Sequence, residues 1–195
     1  MYYQRDLPHW QPEGAALFLT WRLAGSLPRE YFLREKTLTA GQEFVVMDRL
    51  LDRAEIGPMW LQSERVAQCV VDALRYGESG LDLYHLRAWV LMSNHVHLLI
   101  EPRAVLPRIV RAVRSFSGRE ANRILGRAGS FWQHEGYDHW VRDCAERDRI
   151  RCYIEANPVN AGLVLTPEEW KWSSASESGI RLQPCAGERS SPVDG

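Results

Sequence analysis

The sequence predicts an α+β fold of the ferredoxin-like, split βαβ kind: an antiparallel sheet with helices packed on one face and a long helix near the C-terminal end. Three observations carry this expectation. Apolar segments around residues 15–23, 84–92 and 95–101 are short and bounded by turn residues, as strands are. Residues 106–125 and 143–156 carry apolar side chains at helical spacing. The resulting order is strand, helices, strand, strand, helix, strand, helix, which a split βαβ sheet requires.

Leu7-Pro8-His9-Trp10-Gln11-Pro12 reads as an extended lead-in, because two prolines restrict it. Ala15 to Leu23 forms the first strand and ends at the Gly25-Ser26-Leu27-Pro28 turn. Tyr31 to Leu51 is helical in composition, with Val45, Val46, Leu50 and Leu51 as its buried side, and Ile56-Gly57-Pro58 stops it. Ser63 is placed to cap a second helix that buries Val66, Cys69, Val70 and Leu74. Tyr84 to Met92 and His95 to Glu101 make a hairpin around Ser93-Asn94. Leu106 to Leu125 turns Ile109, Val113 and Phe116 inward, with Gly118 as a point of interruption. Phe131-Trp132-Gln133-His134-Glu135 and Tyr137 to Val141 follow as a last strand or an irregular aromatic segment. Asp143 to Ala156 is the final helix, stopped by Asn157-Pro158.

With 195 residues, 45% hydrophobic and 25% charged, the composition is that of an ordinary globular protein. A chain of this length buries roughly 70% of its unfolded surface. One domain over residues 1–175 is expected, with a flexible tail over 176–195 that is poor in apolar residues. No apolar stretch is long enough to span a bilayer, so a soluble cytoplasmic chain is expected. Four cysteines without CxxC spacing suggest neither a zinc knuckle nor a disulfide framework. The formal net charge of -1 speaks against indiscriminate coating of nucleic acid, yet it conceals a local excess. Residues 101–127 hold seven Arg against two Glu, and Arg108, Arg111, Arg114, Arg119, Arg123 and Arg127 cover an outer arc of the helix. These arginines suit phosphate tracking, and Trp132, Tyr137, Trp140 and Trp172 suit base stacking; the competing reading makes the tryptophans core and the arginines partners of nearby acids.

Two motifs carry chemistry. On a strand His95 and His97 project from one face while Val96 enters the opposite layer, so the two imidazoles can hold one divalent ion. Two polar residues hydrogen-bonded on a sheet face would look the same. Tyr153 and Asn157 are one helical turn apart, a hydroxyl able to act as nucleophile beside an amide oxygen able to join a metal site. Alone, either is as readily a packing or turn residue. His134 and His139 stand near the aromatic segment; His9 and His85 read as structural or superficial.

Phrases of the sequence, in order, resemble the REP-associated tyrosine transposases, a branch of the IS200/IS605-like transposase family of HUH single-strand DNA endonucleases. They are Leu7-Pro8-His9-Trp10, Phe18 to Pro28, Trp89 to Leu99 with Asn94-His95-Val96-His97 inside it, Gly118-Arg119-Glu120-Ala121-Asn122, Phe131-Trp132-Gln133, Tyr153 to Val164, and Trp170-Lys171-Trp172-Ser173-Ser174. The resemblance spans residues 7–175. It implies that His95 and His97 are the HUH pair, that Tyr153 on a catalytic C-terminal helix is the nucleophile, and that Asn157 stands where many members carry a metal-binding Gln. It also implies Mg2+ or Mn2+ as cofactor, and single-stranded hairpin-forming repetitive DNA as substrate, cleaved and rejoined through a 5'-phosphotyrosine. Nucleoid association follows from that substrate, with Arg108, Arg111, Arg114, Arg119 and Arg123 as DNA contacts. The resemblance is compatible with a homodimer whose sites are completed in trans or a monomer with its tyrosine in cis.

The alternative from another class is a descendant that binds hairpin DNA without efficient strand transfer. A phosphohydrolase using water at His95 and His97 would make Tyr153 dispensable. A two-histidine phosphodiesterase lacks its second His-x-Thr/Ser repeat, and a histidine-triad hydrolase would need another His where Leu99 stands.

Overall fold

The computed structural model describes residues 15–177 apart from 29, 32–37 and 135. The Leu7–Trp10 lead-in with His9, the middle of the stretch between Tyr31 and residue 38, and the tail beyond Glu177 lie outside the described residues. Strand β1 (Leu17–Arg22) shows how the fold is built. Its alternation sends Leu17, Leu19 and Trp21 into one apolar layer and Phe18 into the other, with Thr20 facing the same side as Phe18. Strands β2 (Tyr84–Leu91), β3 (His95–Pro102) and β4 (Tyr137–Trp140) complete a sheet in the order β2-β3-β1-β4. All neighbours run antiparallel, with Thr20 opposite His97 and Arg22 opposite His95. This is the predicted ferredoxin-like split order; of the aromatic segment Tyr137–Trp140 is a strand, whereas residues 131–134 contribute only an isolated bridge from Trp132 to Leu23.

The four described helices are α1 (Ala40–Arg53), α2 (Glu64–Ser79), α3 (Leu106–Leu125) and α4 (Cys144–Asn160). They occupy both faces of the sheet rather than the single face predicted. Helices α2 and α3 bury Val66, Val70, Leu74, Ile109 and Val113 against Val96, Leu98 and Ile100. On the other face Phe44 of α1 and Ile150, Tyr153 and Ile154 of α4 pack on Phe18, Val90 and Leu99. The physical reason is visible in β3, where both sets of alternate residues are buried, so each face needs a cover.

Local chemistry explains the ends of these helices. Thr39 caps α1 through a reciprocal capping box with Gln42, and the chain leaves α1 through Ala54 in the left-handed region. Gly57, at φ +86°, admits the turn at Gly25, whose carbonyl oxygen would lie 2.2 Å from a Cβ there. Pro158 does not stop α4, which runs on to Asn160; the missing proline N–H removes one internal bond, and Ala161 N–H restores the ladder by donating to Asn157 O at 3.0 Å. Gly118 does not interrupt α3 but stays buried where Phe131 and Trp132 approach.

Two predicted core stripes are rotated. In α1 the buried side is Phe44, Asp48 and Leu51, and Val45 is exposed. In α3 Phe116 is exposed, and Ser117 takes the inward position, donating to Val113 O at 2.7 Å and accepting from Trp132 Nε1 at 3.0 Å. Among the described residues no helix is long and apolar enough to cross a membrane.

Candidate active site

His95 and His97 begin β3, are fully buried, and face the α1/α4 side, while Val96 points into the opposite core as predicted. Their Nε2 atoms are 3.1 Å apart, their outer nitrogens held by neighbours. Asn94 Nδ2 donates to Leu51 O at 3.0 Å, which orients the amide so that its oxygen faces His95 Nδ1 at 2.7 Å. An amide oxygen only accepts, so His95 carries its proton on Nδ1 and turns the Nε2 lone pair inward. Thr20 Oγ1, directly across the ladder, sits 2.8 Å from His97 Nδ1. Two imidazole nitrogens at this separation need a proton or a cation between them. Burial, reinforced by the neighbouring His97 charge, pulls the His95 pKa down to about 3, so this ring is a neutral donor of its lone pair at ordinary pH.

The structure adds a carboxylate that sequence spacing misses. Asp48 of α1 is buried, with Oδ1 3.1 Å from His97 Nε2 and 4.0 Å from His95 Nε2. One ligand atom from each of Asp48, His95 and His97 can be chosen so that all lie within 4.8 Å of one another. One turn later Asp52 Oδ1 stands 3.8 Å from His95 Nε2. Burial alone would raise the Asp48 pKa, but the pull of His97 and His95 and the Tyr153 hydroxyl bring it to about 2. Asp52 is pushed up to about 7 by burial and by the Asp48 charge, so the site holds one firm anion and one carboxyl that gains or loses its proton near neutrality. Asp48 Oδ1, Asp52 Oδ1 and Asn157 Oδ1 are buried without an aligned hydrogen bond. Of these, the Asp48 and Asp52 oxygens stand beside the inward Nε2 atoms of the two imidazoles, an arrangement that fits a divalent cation, and the mixed nitrogen and oxygen set suits an ion that accepts both.

Tyr153 of α4 stands over this group. Its ring lies 5.7 Å from that of His97 and 6.2 Å from those of Phe18 and Phe44, and its hydroxyl donates to Asp48 Oδ2. Burial, then the Asp48 charge, push its pKa far above the ordinary phenol value; the Asn157 amide beside it works the other way. Thus His95, His97 and Tyr153 converge, and buried Asn157 follows one turn on. Asp48 and Asp52 have a signal in retrospect: with Phe44 and Leu51 they recur at helical spacing, placing acids on an apolar face.

The arginines are elsewhere. Helix α3 covers the opposite face of the sheet from Tyr153, and an open cleft of about 1090 Å³ runs along it, lined by Arg111, Arg114, Arg119, Arg123, Arg127 and His134. Arg108, Arg111 and Arg119 are exposed and have no ion pair among the described residues. Arg114 is anchored to Gln133 O and His134 O, and Arg123 donates to Glu120 at 2.8 Å. Arg127 lies over the Trp60 ring at 3.8 Å, and Trp60 stacks on Phe131. Of the aromatics considered for stacking, Trp132 is buried core, as the competing reading has it, whereas Tyr137, Trp140 and Trp172 are half-buried. His139 pairs with Glu146 at 3.0 Å, and His85 lies 3.9 Å from Glu78.

No protein-family model matches the sequence, and no curated protein does. Among solved structures, a REP-associated tyrosine transposase bound to a REP hairpin superposes over 98% of this chain and 97% of that chain, with a TM-score of 0.56 at 17% identity. A protein from Deinococcus radiodurans R1, provisionally called a transposase, aligns over 80% of this chain and 98% of that chain, with a TM-score of 0.41 at 19% identity.

Proposed function

We propose that this chain, which shares the fold of a REP-associated tyrosine transposase, is a divalent-metal-dependent endonuclease and transposase of single-stranded, hairpin-forming DNA. The observation that carries the reading is the Tyr153 hydroxyl held beside the Asp48, His95 and His97 group. A phosphate diester resists attack because its oxygens repel a nucleophile and its alkoxide leaves poorly. Mg2+ or Mn2+ bound there would polarise the scissile phosphate and offset charge developing on its oxygens. Asn94 and Thr20 orient His95 and His97 toward that ion, and Asn157, beside Tyr153 and with its Oδ1 lacking a donor, would add a neutral oxygen ligand.

Tyr153 then attacks phosphorus in line. The tyrosine O–P bond forms as the bond to the 3'-oxygen breaks, and a proton equivalent to the one lost by the phenol ends on that leaving oxygen, giving a 5'-phosphotyrosine and a 3'-hydroxyl. The covalent link conserves the bond energy, so a 3'-hydroxyl from another strand end reverses the step without a nucleotide cofactor. Phosphates of the hairpin lie along the exposed Arg108, Arg111 and Arg119, with Arg114 and Arg123 at the cleft. The hairpin carried by the structural relative supports this substrate class.

The test is a denaturing gel of labelled single-stranded hairpins with Mg2+ or Mn2+. A covalent adduct is expected from the wild type and none from Tyr153→Phe, which keeps the ring and the hairpin affinity. Cleavage by the Phe variant at the wild-type rate would assign water as nucleophile and overturn the reading. Hairpin binding with no adduct from the wild type would make the protein a binder.

A further inference from the structure

The Asp48 carboxylate has two oxygens, and they face different partners. Oδ2 accepts the Tyr153 hydroxyl; Oδ1 stands 3.1 Å from His97 Nε2 without an aligned hydrogen bond. The helix carrying Asp48 is tied to the turn that begins β3 through Asn94 and Leu51 O, so the carboxylate and the two imidazoles are mounted on one frame. Nothing else in the site spans from the imidazoles to the phenol in this way among the described residues. We propose that Asp48 is shared between the ion and the nucleophile: Oδ1 joins His95 and His97 as a metal ligand while Oδ2 positions the Tyr153 hydroxyl. Metal binding and placement of the tyrosine are then one coupled event.

Sharing of Asp48 rests on the metal site proposed above but adds a claim that such a site does not need. A site made of His95, His97 and Asn157 would serve with Asp48 outside the ligand set, its carboxylate only accepting the Tyr153 hydroxyl. The two arrangements differ in what a cation does. If Asp48 only positions the tyrosine, its loss leaves Mn2+ binding largely intact. If it is shared, two effects follow. Removing the carboxylate charge weakens binding, and removing the Tyr153 hydroxyl tightens it, because that hydroxyl draws electron density from the same carboxylate.

The experiment is a Mn2+ titration followed by electron paramagnetic resonance. It uses the full chain after chelation, in the wild type, H97A, D48N, Y153F and the D48N/Y153F double variant, with circular dichroism as the fold control. D48N is expected to weaken Mn2+ binding about ten-fold or more. Y153F is expected to tighten it several-fold in the wild-type background and to have no effect in the D48N background, the non-additivity that a shared group requires. D48N binding within about two-fold of the wild type while H97A loses the ion would overturn the sharing and leave the histidine site standing. Undiminished binding by H97A would overturn both. Should D48N fail to fold, Y153F decides alone, and an unchanged affinity overturns the proposal.

Discussion

Asn94 shows how much one side chain can organise. It is fully buried and makes two directed bonds, one to the backbone of α1 and one to His95. Asn94→Ala should therefore cost about 1–3 kcal/mol from the acceptor and donor left without partners. It should also weaken metal binding about ten- to a hundred-fold by freeing the His95 tautomer. Calorimetric Mn2+ titration beside urea unfolding checks both, and a loss of stability with full metal affinity would reject the orienting role. The titrating groups give a second prediction, for the chelated protein. Asp52, held at about 7 against an ordinary 3.8, keeps its proton in the folded state, so its contribution falls as pH rises from about 4 to about 7. His95, held at about 3 against 6.5, contributes stability that is complete above 6.5 and lost as pH falls toward 3. Between about pH 4 and 6.5 the two slopes oppose each other and flatten the wild-type profile. Asp52→Asn deletes one of them, so its stability should climb with pH relative to the wild type by up to about 1.4 kcal/mol per unit. Parallel curves for the two proteins would refute the Asp52 assignment.

Helix α3 is the element in which periodicity and packing disagree. Apolar spacing points Ile109, Val113 and Phe116 inward together, yet only the first two are buried. Gly118 and Ser117 decide the rotation: the glycine lets Phe131 and Trp132 close on the helix, and the serine hydroxyl meets the Trp132 indole. Phe116 is turned out beside Arg108, Arg111 and Arg119. Ile109→Ala should then cost about 2–5 kcal/mol. Phe116→Ala should stay within about 0.5 kcal/mol of the wild type. Equal destabilisation of the two variants in urea would restore the predicted stripe.

At the scale of the molecule, the sheet separates two groups of side chains. Tyr153 and its carboxylate and imidazole partners occupy one face; the arginine helix covers the other. Under the proposed function, affinity and chemistry should therefore respond to different substitutions. Changing Arg108, Arg111 and Arg119 together to Gln should weaken hairpin binding and reduce the slope of log affinity against log salt. The reduction is about 0.7 for each single-strand phosphate that is no longer neutralised, or about 0.9 in duplex. The rate of adduct formation at saturating DNA should be unchanged. An unaltered slope in a variant that still folds would move the DNA track elsewhere, toward Tyr137 and Trp140 on β4.

Local residue order by itself determined strands β1, β2 and β3, helices α2, α3 and α4 within a few residues of their ends, the antiparallel split βαβ order, the shared strand face of His95 and His97, and the place of Tyr153 on the last helix. Each of these follows from a period of two or 3.6, or from spacing within one element. Helix α1, by contrast, begins at Ala40, well after the predicted start at Tyr31. Tertiary structure alone decided three things. Helices cover both faces, because β3 buries both of its sides. Asp48 reaches the histidines across 47 and 49 residues of chain from a different helix, a distance that no local period encodes. Phe116 is turned out and Ser117 takes the inward place, because which side chain is buried depends on the neighbour that fills the space, here Trp132, and that neighbour arrives only when the chain folds.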